Sequence, residues 1–89
     1  MKPDYSLIIP CYNESPHIIK NISDIVSLLN LSKYTYEIIL IDDKSRDDTT
    51  DKIKEIVKKY TQCRAFFHST NTGRGGTVMD GIMNADSDI

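Results

Sequence analysis

Three short apolar runs interrupt an otherwise polar chain: residues 5–10 (YSLIIP), 38–41 (IILI) and 64–68 (RAFFH). Each is bounded by polar or turn-forming residues and is too short for a helix, so each predicts a strand. The middle run is continuously apolar and ends abruptly in Asp42 and Asp43. Unbroken apolarity is what a strand buried on both faces of a parallel sheet requires. Pro10 is expected to close the first strand, because proline donates no ladder hydrogen bond. Between and after the runs, apolar residues recur at three- and four-residue spacing: Ile18, Ile22, Ile25, Val26 and Leu29; Ile53, Ile56, Val57 and Tyr60; Val78, Ile82 and Ala85. These are the buried stripes of three helices. Ser15 followed by Pro16 predicts the start of the first, as a side-chain cap and a first helical residue. Asp47 or Asp48 is expected to cap the second, where a carboxylate also meets the positive end of the helix dipole. Lys52, Lys54, Glu55, Lys58 and Lys59 form its solvated face.

Strand and helix therefore alternate three times. The fold class this predicts is α/β: a Rossmann-like three-layer sandwich on a parallel sheet with right-handed crossovers. With strands in the order 3-2-1, the first strand would border a fourth. Residues 86–89 read as the approach to that strand, so the 89 residues are expected to be the N-terminal part of a longer domain. Composition adds exclusions. The chain is 39% hydrophobic and 27% charged, ordinary for a globular protein, with a net charge of −2. That charge gives no broad electrostatic grip on nucleic acid. No apolar stretch has the length of a membrane span or a secretory leader. Cys11 and Cys63 lie far apart and at no zinc spacing, and they read as reduced thiols of a cytoplasmic protein.

In parallel sheets ligands bind outside the carboxyl ends of the strands, so the chemistry is sought there. After the first strand stands CYNES, where Tyr12 offers a flat ring for a base and Glu14 a carboxylate for a sugar. Taken alone, this loop is as well explained by Tyr12 packing on the sheet and Asn13 making a turn. After the second strand come Asp42 and Asp43. Adjacent side chains on a strand point to opposite faces, so one can hold the following turn while the other faces the crevice. A carboxylate there can accept hydrogen bonds from ribose or base, or hold a cation. After the third strand comes NTGRGG (residues 71–76), whose glycines let backbone N–H groups approach phosphate, with Arg74 adding charge. His17 and His68 have no partner at metal-ligand spacing and read as surface residues without a role. Cys11 lies beside these loops but has no base to activate it, which argues against nucleophilic catalysis.

Position discriminates among parallel-sheet sites. A dinucleotide-binding Rossmann unit places its glycines after the first strand, a response-regulator receiver places its acidic pair there, and a P-loop needs a Walker lysine that residues 71–77 lack. The surviving order is aromatic and acidic groups after strand one, paired acids after strand two and glycines after strand three.

That order resembles the family 2 glycosyltransferases, which have the glycosyltransferase A fold. SLIIPCYNES, IDDKSRDDT and NTGRGGTVMDGIMNA resemble three segments of that family, in its order and spacing, and together they cover nearly the whole chain. The polyprenyl-phosphate sugar transferases are the subgroup most similar. The resemblance implies transfer of a sugar from a nucleotide-diphosphate donor, UDP- or GDP-linked, to an acceptor hydroxyl, with this chain supplying the donor-nucleotide half. It implies that Pro10, Tyr12 and Glu14 line the nucleotide pocket, that Asp43 bonds the base or ribose, that Asp42 supports the loop or pocket, and that Arg74 lies near the diphosphate. It implies a divalent cation, Mg or Mn, whose ligands fall beyond Ile89; Asp86 and Asp88 fall before the strand that would carry them. The acceptor would be a polyprenyl phosphate, a protein or a polysaccharide, and the location cytoplasmic, at the inner face of a membrane. Lys44 replaces the family's usual Gly, so a positive φ there would strain the turn. Two other readings remain open: a stand-alone nucleotide-binding module, and a sugar-phosphate nucleotidyltransferase, which would carry its glycines after the first strand.

Overall fold

The computed structural model describes residues 2–68. The loop and helix expected over residues 69–85, Arg74 among them, lie outside the described residues. Within them the order is β1 (Tyr5–Cys11), α1 (Ile18–Leu29), β2 (Tyr36–Asp42), α2 (Thr49–Lys59) and β3 (Cys63–Phe67). The strands form one parallel sheet with β2 in the centre, the 3-2-1 order read from the sequence.

Register explains why the middle run is the most apolar. Leu7, Ile38 and Cys63 pair across the sheet, as do Ile9, Leu40 and Ala65. Both rows face the helices and join Ile18, Ile22, Val26, Ile53 and Ile56 in one core. Ile39 and Ile41 alternate to the opposite face and are fully buried as well. Central β2 is thus apolar on both sides, and each of its buried aliphatic side chains contributes about 2 kcal/mol. The helical stripes match the spacing, with one addition: Thr49, fully buried, belongs to the inner face of α2. At the amino end of the sheet Asp4 and Thr35 clasp each other, the Thr35 N–H donating to the Asp4 carboxylate at 2.8 Å and the Asp4 N–H to Thr35 Oγ1 at 2.9 Å. That clasp pins β1 to β2 where the strands begin.

Three expectations need correction. Pro10 does not end β1; it pairs with Ile41, and the strand runs on to Cys11. The Asp43 N–H donates to the Cys11 carbonyl at 3.0 Å, so by alternation the Pro10 nitrogen faces away from β2, where no donor is required. Helix α1 begins at Ile18, after a turn over residues 15–17 in which the Glu14 carbonyl accepts the N–H groups of His17 and Ile18, both at 3.0 Å. Ser15 is therefore not its cap. Nor is Lys52 simply solvated, since its Nζ donates to the Ser15 carbonyl at 2.8 Å.

Candidate functional site

The carboxyl end of β2 sends its two acids to opposite faces. Asp42 pairs with Cys11 and Phe67 and so points to the helix side. There its Oδ1 accepts the Ser45 N–H at 3.0 Å and the Ser45 hydroxyl at 2.6 Å, and its Oδ2 accepts the Thr50 hydroxyl. Asp42 is 2% exposed and ties the loop and the first turn of α2 to the sheet. Asp43 turns to the other face, where its Oδ1 lies 2.8 Å from His68 Nδ1.

The loops after β1 and β2 are stitched together by groups that turn chemistry alone does not require. The Asn13 N–H donates to Ser45 Oγ at 3.0 Å, and the Arg46 N–H donates to Asn13 Oδ1 at 2.8 Å. Ser15 donates its hydroxyl to Asp48 and its N–H to Asp47 at 3.4 Å. Asp48 occupies the cap position of α2 without a capping side-chain bond. Asp47 instead accepts the Thr49 N–H at 2.9 Å and the Thr49 hydroxyl. That hydroxyl bond is the main reason its carboxyl is held below the ordinary value. Asn13 and Lys44 both adopt positive φ, 53° and 57°, so the Lys44 position does call for the left-handed region in which glycine is at ease. Asn13 does more than make a turn: with Ser15 it clasps the two loops together.

The candidate residues come together as follows. Pro10, Cys11, Tyr12 and Asp43 line one cleft of about 40 Å³ at the carboxyl ends of β1 and β2. Tyr12 is 40% exposed and is one of the residues that line this cleft. Glu14 begins the next turn, partly buried and near enough to Cys11 for its charge to act on the thiol. Asp42 lies beneath the loop, and Arg74 is outside the described residues. His68 is the residue that sequence reasoning missed. It is a partner of Asp43 with a largely buried side chain, not a surface residue. Larger cavities lie elsewhere, including one of about 280 Å³ at the opposite end of the sheet lined by Lys2, Glu37 and Arg64. Volume alone does not make a site; in a parallel sheet ligands bind outside the carboxyl ends of the strands, which is where Tyr12 and Asp43 line a common cleft.

Two chemistries fit poorly. Burial, with the negative charges of Asp42 and Glu14 adding to it, pushes the Cys11 thiol up to about 12, and burial pushes Cys63 up to about 11. Neither is a thiolate nucleophile near neutral pH. In the native chain both thiols are expected to resist Ellman's reagent at pH 8 and to react fully once unfolded. Because the folded values are raised above the ordinary 9.0, the stability they contribute is complete below about pH 9. It is lost as pH rises through about 11 and 12, which alkaline thermal melts would register. A divalent cation also finds no cage here: among the described residues no three His, Cys, Asp or Glu side chains converge. Asp42 commits both oxygens to Ser45 and Thr50, and Asp43 commits one to His68.

Comparison with known proteins adds independent findings. The model of the family described as "Glycosyl transferase family 2" matches residues 6–89. A dolichyl-phosphate beta-glucosyltransferase of Saccharomyces cerevisiae is 37% identical over 86 residues, covering 89% of this chain and 25% of that protein. One of Dictyostelium discoideum is 34% identical over 85 residues, covering 88% and 26%. The chain thus spans about a quarter of the length of these curated relatives. Among solved structures, the mannosyltransferase PcManGT of Pyrobaculum calidifontis, in complex with GDP-Man and Mn2+, superposes with a TM-score of 0.79 at 19% identity, over 96% of this chain and 25% of that one. This last likeness is one of fold, the glycosyltransferase A fold that the resemblance implied.

Proposed function

The chain belongs to glycosyl transferase family 2, and on that premise we propose that it forms the nucleotide end of the donor site of a sugar transferase. The donor is a UDP- or GDP-linked sugar. Tyr12 packs on the base and Asp43 accepts hydrogen bonds from the base or ribose. Pro10 and Glu14 complete the wall. Asp42 holds the loop from below, and Arg74 meets the diphosphate. The observation that supports this reading best is the cleft itself, in which Pro10 and Tyr12 from one strand end meet Asp43 from the next.

The dolichyl-phosphate relatives favour a polyprenyl phosphate as acceptor over a protein or polysaccharide. That choice alters the chemistry. A hydroxyl acceptor needs a general base to remove its proton, whereas a phosphate monoester is already largely dianionic at pH 7, with a second pKa near 6. Transfer to it makes the smaller demand on a base. A cation of the kind present beside GDP-Man in the Pyrobaculum protein would be held by residues outside 2–68. A cytoplasmic location at a membrane face would suit such an acceptor; no helix among the described residues is long and apolar enough to cross a membrane.

Calorimetric titration with UDP and with GDP tests the pocket. The 89-residue chain is expected to bind one of them weakly, with little dependence on Mn²⁺. Asp43→Ala should weaken that binding by about tenfold or more, the loss of a hydrogen bond to a charged acceptor. Unchanged affinity would remove Asp43 from the site.

A further inference from the structure

We infer that His68 is a positioning residue for the donor nucleotide, acting through Asp43. The inference rests on the donor-pocket reading above and adds to it a group that no sequence motif singles out. His68 follows the last residue of β3, and its backbone N–H donates to the Asp42 carbonyl at 2.9 Å, continuing the ladder between β2 and β3. Since Asp42 pairs with Phe67, the next residue on each strand, Asp43 and His68, falls on the other face of the sheet, side by side. The imidazole Nδ1 then meets Asp43 Oδ1 at 2.8 Å, with the two side chains only 12% and 6% exposed.

The direction of this bond follows from chemistry. An ionised carboxylate only accepts, so Nδ1 carries the proton and donates. A carboxylate at a strand end with one oxygen fixed by a buried ring has a defined rotamer. Its acceptor directions are set before the nucleotide arrives, so less ordering is needed on binding. Pro10 and Tyr12 line the same cleft as Asp43, so the orientation of that carboxylate bears on what can lie in the cleft beside Tyr12.

A double-mutant cycle read by UDP and GDP titration of the 89-residue chain tests this. His68→Phe keeps a ring of similar size without the donor, and His68→Asn keeps a donor near the Nδ1 position. Asp43→Asn retains one acceptor oxygen and hence measurable affinity. His68→Phe is expected to weaken binding about tenfold while His68→Asn stays within about twofold. The effect of His68→Phe should vanish in the Asp43→Asn background. If Asp43→Asn weakens binding but His68→Phe does not, or if Phe and Asn weaken it equally, the positioning role is overturned and the donor pocket stands. If Asp43→Asn changes nothing, or neither nucleotide binds, the donor-pocket reading fails and this inference with it. Ring nitrogen NMR of the unaltered chain decides even where a variant does not fold: a proton on His68 Nδ1 is expected, and a bare Nδ1 overturns the inference.

Discussion

Asp42→Ala is expected to destabilise the chain by about 3–5 kcal/mol, lowering its melting temperature by roughly 12 °C or more. The carboxylate is buried at 2% exposure, and both of its oxygens are committed. Alanine removes the acceptor for the Ser45 N–H, the Ser45 hydroxyl and the Thr50 hydroxyl together. It leaves those donors facing a small void, and an unsatisfied buried donor costs more than the bond was worth. Asp42→Asn separates the contributions. An amide oxygen can keep the Ser45 bonds, and its NH₂ can face a Thr50 hydroxyl rotated to accept, so a loss of about 1–2 kcal/mol is expected. Urea or thermal unfolding of the two variants measures both. An alanine variant within about 1 kcal/mol of the parent would mean that Asp42 does not anchor the loop.

The contrast between Asp42 and Asp43 marks how much the sequence shows. Strand geometry alone requires neighbouring side chains to face opposite ways, so one structural and one crevice-facing acid could be read from the letters DD at the end of an apolar run. The burial of β2 on both faces and the stripes of α1 and α2 were legible for a similar reason, each being a local run or period that burial must obey. The parallel sheet followed from the alternation of strand and helix. What stayed hidden depends on pairing between distant segments. His68 stands 25 positions from Asp43, and nothing in RAFFH marks its last residue as special. The signal that finds it is the register: once Asp42 is set opposite Phe67, His68 must lie beside Asp43. Ser15 misled because Ser-Pro is a helix-start pattern whose local logic is sound. Its hydroxyl found Asp48 on the neighbouring loop instead, and α1 began two residues later. Thr49 escaped because a hydroxyl in a helix's first turn reads as polar, whereas Asp47 satisfies it and lets it be buried.

These cross-links have a functional consequence. Tyr12 lies on the β1–α1 loop and Asp43 at the end of β2, so their separation is fixed by whatever holds the two loops together. Asn13 is one of the two links, Ser15 the other, and substitution of Asn13 separates two contributions. Asn13→Ala is expected to cost about 2 kcal/mol: about 1 for the lost bond from the Arg46 N–H to Oδ1 and about 1 for a Cβ-bearing residue without a polar tip at φ 53°. Asn13→Gly restores the backbone's ease at positive φ but not the bond, so it should recover part of that loss. Lys44→Gly gives the opposite sign. At φ 57° and exposed, Lys44 gains nothing from its side chain that glycine would forfeit. Relief of the left-handed strain should outweigh glycine's greater unfolded-state entropy by about 0.5 kcal/mol. Thermal melts of the three variants give the stability order Lys44→Gly, Asn13→Gly, Asn13→Ala. Nucleotide affinity should fall in both Asn13 variants, although Asn13 is not among the residues lining the cleft, because the spacing of Tyr12 and Asp43 then varies. Affinity unchanged by Asn13→Gly would mean that the sheet and the remaining loop bonds of residue 13 and Ser15 set that spacing, and that the Asn13 side chain serves only stability.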